Sequence, residues 1–393
     1  MTDSIVIVGA ARTPMGSFQG VFSPLAAHDL GGAAIQAAVA RAGVAPAQVN
    51  EVLFGNCLMA GQGQAPARQA SFKGGLPISA GAVTLSKMCG SGMRAAMFGH
   101  DMLLAGSADV VVAGGMESMT NAPYLLQKAR GGYRIGHDRM FDHMMLDGLE
   151  DAYEAGRSMG TFGEDCAAKY GFTREQQDAF AITSVTRAQA ATQSGAFAAE
   201  ITPVTLKGRS GDTVVSTDEA PGRVKLDKIP TLKPAFKKDG TITAASSSSI
   251  SDGAAALVMM RSATAEAQGL KPLARIVSHA VHAQEPNWFA TAPVGAVTKV
   301  LEKAGWSVDD VQLWEVNEAF AVVPMALMHE LGLSHDMVNV NGGACALGHP
   351  IGASGARIMV TLMYALQARG LQRGVATLCI GGGEATAVAI EML

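Results

Sequence analysis

The sequence predicts an α/β protein made of two similar halves related by an approximate two-fold axis, with a long segment inserted into the first half. Three observations carry this expectation: a stretch of sequence recurs, both copies alternate helix-like with strand-like runs, and one strand of the first copy arrives late. VARAGVAPAQVNEVLFGN (39–56) aligns at a single offset with LEKAGWSVDDVQLWEVNE (301–318), setting Ala42-Gly43 over Ala304-Gly305 and Val49 over Val311. CGSGMRAAMFGHDMLLAG followed by ADVVVAGG (89–115) matches GASGARIMVTLMYALQARG followed by GVATLCIGG (352–382), each reading as turn, helix, strand and glycine pair. The helical runs carry apolar residues at three- and four-residue spacing, whereas VVVAGG and ATLCIGG are continuous apolar runs of the kind buried on both faces of a sheet. Strands alternating with helices imply a parallel or mixed sheet covered by helices.

Taken in order, SIVIVG reads as the first strand. The chain ends in two strand-like runs about a glycine turn, ATLCIGGGEATAVAIEML, so the first half should own an equivalent last strand after DVVVAGGMES. The best candidate is SDGAAALVMM (251–260), which makes 120–249 an insertion between two strands of one sheet. The expected division is therefore 1–119 with 250–270 as the first half, 120–249 as the inserted domain and 271–393 as the second half. The insertion is more polar and holds GRVKLDKIPTLKPAFKKDG; long insertions of this kind are usually functional. A chain of 393 residues also exceeds the roughly 250 to 300 at which single cores stop growing.

Composition excludes several partner classes. Apolar residues make up 48% and charged residues 16%, a globular balance, and the net charge of -4 comes with scattered Lys and Arg. That pattern offers no footprint for nucleic acid or an anionic membrane surface. No apolar run reaches the roughly 18 residues of a membrane span, and no basic stretch precedes the first apolar run, so a cytoplasmic protein is expected. Five cysteines in a chain of this length argue against a disulfide framework, and none stands in metal-ligand spacing with the nine histidines, so no metal is expected. Neither a phosphate-binding P-loop nor a dinucleotide-binding glycine fingerprint is present. The 21 methionines are read as fillers of core and interface gaps.

Four residues stand out as chemical candidates. Cys89, in SKMCGSGMRAA, opens a helix, where free N–H groups and the helix dipole favour a thiolate; it is a nucleophile or else a small buried thiol. His349, in ACALGHPIGASGAR, lies three residues before the glycine that the repeat pairs with Cys89, so the two-fold should bring it to Cys89. Cys379 ends the strand ATLCIGGG, and Asn317 in EVNEAF follows another; ligand sites of open α/β sheets gather at such carboxyl ends. Taken alone, Cys379 is equally a core residue and Asn317 a turn former. Cys57, Cys166 and Cys345 are given no role.

With these segments assembled, the sequence resembles the thiolase family over essentially its full length. The matching motifs, in order, are CGSGMRAA around Cys89, GGMESMTNAPY (114–124), SISDGAAALV (249–258), EVNEAF (315–320), NVNGGACALGHPIGASGAR (339–357) and CIGGG (379–383). The resemblance implies two halves with mixed five-stranded sheets covered by helices, and an inserted loop domain that binds coenzyme A. It implies an acetyl-CoA C-acyltransferase of fatty acid metabolism that exchanges acyl-CoA plus acetyl-CoA for 3-oxoacyl-CoA plus coenzyme A. Cys89 would carry the acyl group in ping-pong fashion, and the residue in the place of His349 would take its proton and then help bind a thioester oxyanion. The residue matching Asn317 would hold a water at that oxyanion site. Cys379 would move the α-proton of the second acyl-CoA, and the backbone N–H groups of Cys89 and Gly381 would hold the acyl-enzyme oxyanion. Arg223 and Ser248 would touch coenzyme A, while Met159, Phe289 and Phe320 would wall the acyl pocket. No permanently bound cofactor is implied, coenzyme A being substrate or product, and a homo-oligomer, dimer or tetramer, is implied.

Departures from the family pattern concern the substrate. Ser158-Met159-Gly160 stands where acetoacetyl-CoA members often read His-Met-Gly, Phe289-Ala290-Thr291-Ala292-Pro293 where they read Met-Gly-Thr-Gly-Pro, and Glu384 follows the last glycines. An acyl preference other than acetoacetyl is therefore expected. The rival readings are a ketoacyl synthase, which resembles thiolases but uses histidine where Cys379 stands, and an inert acyl-CoA-binding protein. The presence of Cys89, Asn317, His349 and Cys379 favours the thiolase reading.

Overall fold

The computed structural model describes residues 4–209 and 211–393. Strand β1 (Ile5–Arg12) leads into helix α1 (Ala27–Ala42), β2 (Glu51–Gly55), α2 (Pro66–Lys73), β3 (Gly81–Leu85), α3 (Ser91–Leu104) and β4 (Val110–Ser118). After helices α4 (Met159–Tyr170) and α5 (Arg174–Ser194), the chain returns as β5 (Ser251–Arg261). That strand pairs antiparallel with β4 along its length, from Met260 opposite Val110 to Asp252 opposite Ser118. The second half repeats the order with β6 (Ala274–Ala283), α6 (Ala292–Ala304), β7 (Leu313–Val316), α7 (Val322–Leu331), α8 (Ile351–Arg369), β8 (Arg373–Ile380) and β9 (Glu384–Met392). The aligned glycines Gly43 and Gly305 end equivalent helices at φ of 67° and 68°, a left-handed conformation that only glycine adopts without strain.

These strands form one ten-stranded sheet, ordered β7-β8-β9-β6-β1-β5-β4-β2-β3, with the pair Gly16–Ser17 against β5; the segment between β4 and β5 adds two short hairpin-like pairs, Tyr124–Leu125 with Phe141–Asp142 and Val204–Leu206 with Thr213–Val215. Strand β2 runs parallel to β3 and β4, and β7 parallel to β8; the other pairs are antiparallel. The first half thus supplies five long strands. The second supplies four, and the fifth position is reduced to a single parallel bridge between Val338 and Trp314. The halves meet edge to edge through only two residue pairs, Val6 with Arg275 and Ile7 with Ala274.

What unites the halves is the layer between them. One apolar core lies under α1, a second under α6 and α7, and a third takes Met93 and Met97 from α3, Ile358 and Leu362 from α8 and residues of both half-sheets. The order is helix, sheet, helix pair, sheet, helix. Helices α3 and α8 cross through glycines. A Cβ on Gly92 would lie 2.8 Å from the Ala356 amide nitrogen, and one on Gly355 2.4 Å from that of Met93. On Gly55 and Gly115 it would come within 2.7 and 2.0 Å of the Gly352 carbonyl oxygen. Gly92 of CGSGMRAA and both glycines of GASGAR are therefore required by backbone contact.

The segment between β4 and β5 is fastened at two places. Asp252 accepts hydrogen bonds from the Thr120 amide and hydroxyl at 3.0 and 2.6 Å, closing its base. Arg12, fully buried at the end of β1, donates to Glu200 at 2.6 Å and to both oxygens of Asp218 at 2.7 and 2.9 Å. No helix among the described residues is long and apolar enough to cross a membrane. Removing one partner of a buried ion pair strands the other charges, so Arg12→Met should lower unfolding free energy by about 3–5 kcal/mol in urea titration. A loss below about 1 kcal/mol would mean that the cluster fastens nothing.

Candidate active site

Cys89 sits in the turn joining β3 to α3. Met88, just before it, holds a left-handed φ of 45°, uncommon for a side-chain-bearing residue and costly unless held in place. Several bonds hold it. The Ser91 hydroxyl accepts from the Lys87 amide at 2.8 Å and donates to the Met88 carbonyl at 2.6 Å, and the Cys57 thiol donates to the same carbonyl at 3.2 Å. The Lys87 ammonium pairs with Glu384 at the start of β9, tying the turn to the second half.

His349 lies just before α8, its amide donating to the Ser249 carbonyl at 3.1 Å. The Ser354 hydroxyl donates its one hydrogen to the Pro350 carbonyl at 2.9 Å, so it accepts from Nδ1–H of His349 at 2.5 Å. That fixes the tautomer, leaving Nε2 as a lone pair. Asn317, after β7, offers its side-chain amide to this nitrogen at 3.4 Å, and its buried Oδ1 has no hydrogen-bond partner among the described residues. Burial, aided by the charge of Arg357, lowers the His349 imidazole to about 3, so it is neutral at physiological pH.

The helix-start argument for a Cys89 thiolate is overturned. Burial pushes this thiol up to about 11, outweighing the N–H groups of Gly381 and of Cys89 itself, which favour the charged form. Those two donors converge on the sulfur, which is the geometry of an oxyanion site. Cys379, at the end of β8, is wholly buried, and burial together with the nearby Cys89 sulfur raises its thiol well above the ordinary range.

Two adjoining cavities give access. The inner one, of about 60 Å³, is walled by Met88, Cys89, Leu149, Met159, Phe289, Phe320, His349 and Gly381 among others. The outer one, of about 260 Å³, shares Leu149, Met159, Ser248, Phe320, His349 and Ile351 with it and adds Met119, Met145, Phe236 and the serines Ser247 and Ser249. The structure thus gathers Cys89, His349, Gly381, Ser248, Met159, Phe289 and Phe320 around one space, with Asn317 and Cys379 behind its wall. Arg223 is apart: its guanidinium is 67% exposed, pairs with Glu219 at 2.6 Å and lines neither cavity.

Sequence reasoning named Met159, Phe289 and Phe320 on the apolar wall but passed over Ser354, Cys57, Glu117 and the wall residues Met145, Leu149 and Phe236. Ser354 stands in GHPIGASG, and a hydroxyl one turn into the helix after a histidine was the available signal. Glu117 is fully buried; it accepts from the amides of Cys57, Leu58 and Gly352 at 2.9, 3.1 and 2.9 Å and from Asn56 at 2.6 Å. Burial raises its carboxyl to about 7. It fastens the loop after β2 to the first turn of α8. Cys166 and Cys345 line neither cavity.

The pKa directions predict that iodoacetamide alkylation of Cys89 accelerates throughout the range from pH 7 to about 10, the thiolate emerging only near 11. A plateau near pH 7 would contradict the burial argument. The unfolded imidazole takes its proton near 6.5 and the folded His349 only near 3, so stability should fall as pH drops below 6.5; His349→Gln should flatten that slope in urea titrations.

The family profile described as "Thiolase, N-terminal domain" matches residues 5–263, and "Thiolase, C-terminal domain" matches 270–392. The chain is 50% identical over 391 residues to an acetyl-CoA acetyltransferase of Rhizobium meliloti (strain 1021), covering 99% of each chain. It is 47% identical over 394 residues to one of Shinella zoogloeoides, covering all of both. Among solved structures, acetyl-CoA acetyltransferase from Syntrophomonas wolfei superposes with a TM-score of 0.96 at 42% identity and full coverage of both chains. A thiolase from Ascaris suum in complex with coenzyme A gives 0.93 at 42% identity, covering 99% of this chain and 100% of that one. Two family profiles that between them account for nearly every residue, and relatives alike from end to end, establish that this chain belongs to the thiolase family.

Proposed function

We propose that this chain is an acetyl-CoA C-acyltransferase, cleaving 3-oxoacyl-CoA with coenzyme A, or condensing two acyl-CoAs, through an acyl group carried on Cys89. The observation that carries this reading is the convergence of the Cys89 sulfur, the lone pair of His349 and the N–H of Gly381 on one cavity. Cys89 and His349 rest in their neutral forms, so the proton leaves sulfur for Nε2 as the thiol attacks the thioester carbonyl. The N–H groups of Cys89 and Gly381 stabilise the resulting oxyanion. Coenzyme A leaves with a proton from Cys379, whose thiolate then takes the α-proton of acetyl-CoA; in the thiolytic direction the enolate of acetyl-CoA leaves and takes that proton. The second thioester's oxyanion is held by the imidazolium of His349 and a water on Asn317, whose free Oδ1 and amide suit that role.

Coenzyme A enters through the outer cavity, with Ser248 on its wall and the 120–249 segment as the binding domain; Arg223 can serve the phosphates only by leaving Glu219. The small inner cavity suits short acyl groups, and Phe289 sets the limit. A homo-oligomer, dimer or tetramer, is supported by β3. This strand is an outer edge of the sheet without a further partner strand among the described residues, and Phe72, Ile78 and Val83 stand exposed beside it. Five free cysteines suit the reducing cytoplasm.

Intact-protein mass spectrometry tests the covalent step. Acetyl-CoA should place an acetyl group on Cys89 that free coenzyme A removes. Cys379→Ala should keep this half-reaction and lose condensation, while His349→Ala should slow acylation by about 10²–10⁴-fold. No adduct with any acyl-CoA would favour an inert binding protein. Phe289→Ala should shift the best 3-oxoacyl-CoA to a longer chain; an unchanged length profile would remove Phe289 from the acyl wall.

A further inference from the structure

Away from the cavities, α3 and β6 bring three ligand-type atoms to one point. His100 Nδ1 and Asp101 Oδ1 are 3.1 Å apart, and His279 Nε2 lies 3.2 Å from the former and 2.9 Å from the latter. Adjacent helix residues diverge by about 100°, so His100 and Asp101 do not converge by default. Each must lean toward His279, which comes from the other half of the chain.

With Asp101 ionised and no ion bound, the triangle cannot be satisfied. If both nitrogens carry hydrogen toward the ionised carboxylate, the two N–H groups face each other. If one nitrogen lacks hydrogen, its lone pair faces the carboxylate oxygen. Every arrangement sets like partial charges together at about 3 Å, and a cation above the triangle removes the conflict at all three contacts. At the usual ligand distances of about 2.0–2.1 Å, such an ion would sit roughly 1 Å off the plane of the three atoms. The nearest opposing charge is Lys303, whose ammonium is engaged by the His279 carbonyl oxygen at 3.0 Å. Asp101 is 53% exposed, so the ion's remaining positions face water, and the carboxyl end of α3 adds favourable negative potential.

We infer that His100, Asp101 and His279 form a site for one borderline divalent cation of the Zn²⁺ class, clipping the helix that begins beside Cys89 to the second half of the molecule. Two imidazoles and a carboxylate are the donor set that suits such ions. The cluster contains no cysteine and its members are far apart in sequence, so ligand spacing could not reveal it.

Protein stripped with a chelator, with Cys89 alkylated to remove the accessible thiol, is titrated with Co²⁺ by dialysis and visible absorption. One Co²⁺ per chain is expected, with ligand-field bands, no thiolate charge-transfer band, and displacement by Zn²⁺. His279→Gln and Asp101→Asn should each weaken binding by at least about tenfold. The metal-dependent rise in Tm should be lost with it, while circular dichroism and metal-free Tm stay as in the parent. Binding unchanged in both folded variants, or no stoichiometric binding at micromolar metal, would overturn the site.

Discussion

The crossing of α3 and α8 at backbone contact is the constraint on which the rest depends. A methyl group at Gly92 or Gly355 would meet a main-chain nitrogen of the other helix, well inside van der Waals distance, so the first turns can approach this closely only as glycine. Because Cys89 precedes one helix and His349 precedes the other, the same crossing sets the thiol and the imidazole on one cavity. Glu117 reinforces it by holding the Gly352 amide and the loop after β2 together. Loosening the crossing would move Cys89, His349 and the central core together.

Burial then decides the resting chemistry. Two groups that would exchange a proton readily in water are held apart, Cys89 as thiol and His349 as free base, because each charged form loses more hydration than its neighbours restore. The site therefore stores no ion pair before substrate arrives. Charge develops only as a thioester is attacked, under the two N–H groups already aimed at it, which is where preorganised dipoles lower a barrier most effectively.

Much of this was legible in the sequence because repetition is a property of the chain itself. The alignment of 39–56 with 301–318 marked equivalent segments, which fold as two helices ending at left-handed glycines and two strands, and the late strand at Ser251 followed from the unpaired end of the first copy. The two-fold argument also put His349 near Cys89. What escaped was set by surroundings: the thiol's upward shift is a burial effect, and Ser354 matters only through the ring nitrogen it fixes. Met145, Leu149 and Phe236 reach the cavity from the inserted segment, whose path no periodicity encodes.

The enclosure of α8 has a consequence for how such a chain could arise. From Ile351 to Met363 every residue of α8 is buried, and the only strand contact between the half-sheets is two residue pairs long. A chain holding one half alone would leave the central face of its helix open to water, a surface that only a second copy has the shape to cover. The covalent repeat is thus a tethered self-association. It leaves Cys89 before one helix and, with Gly352 at the matching position, His349 before the other.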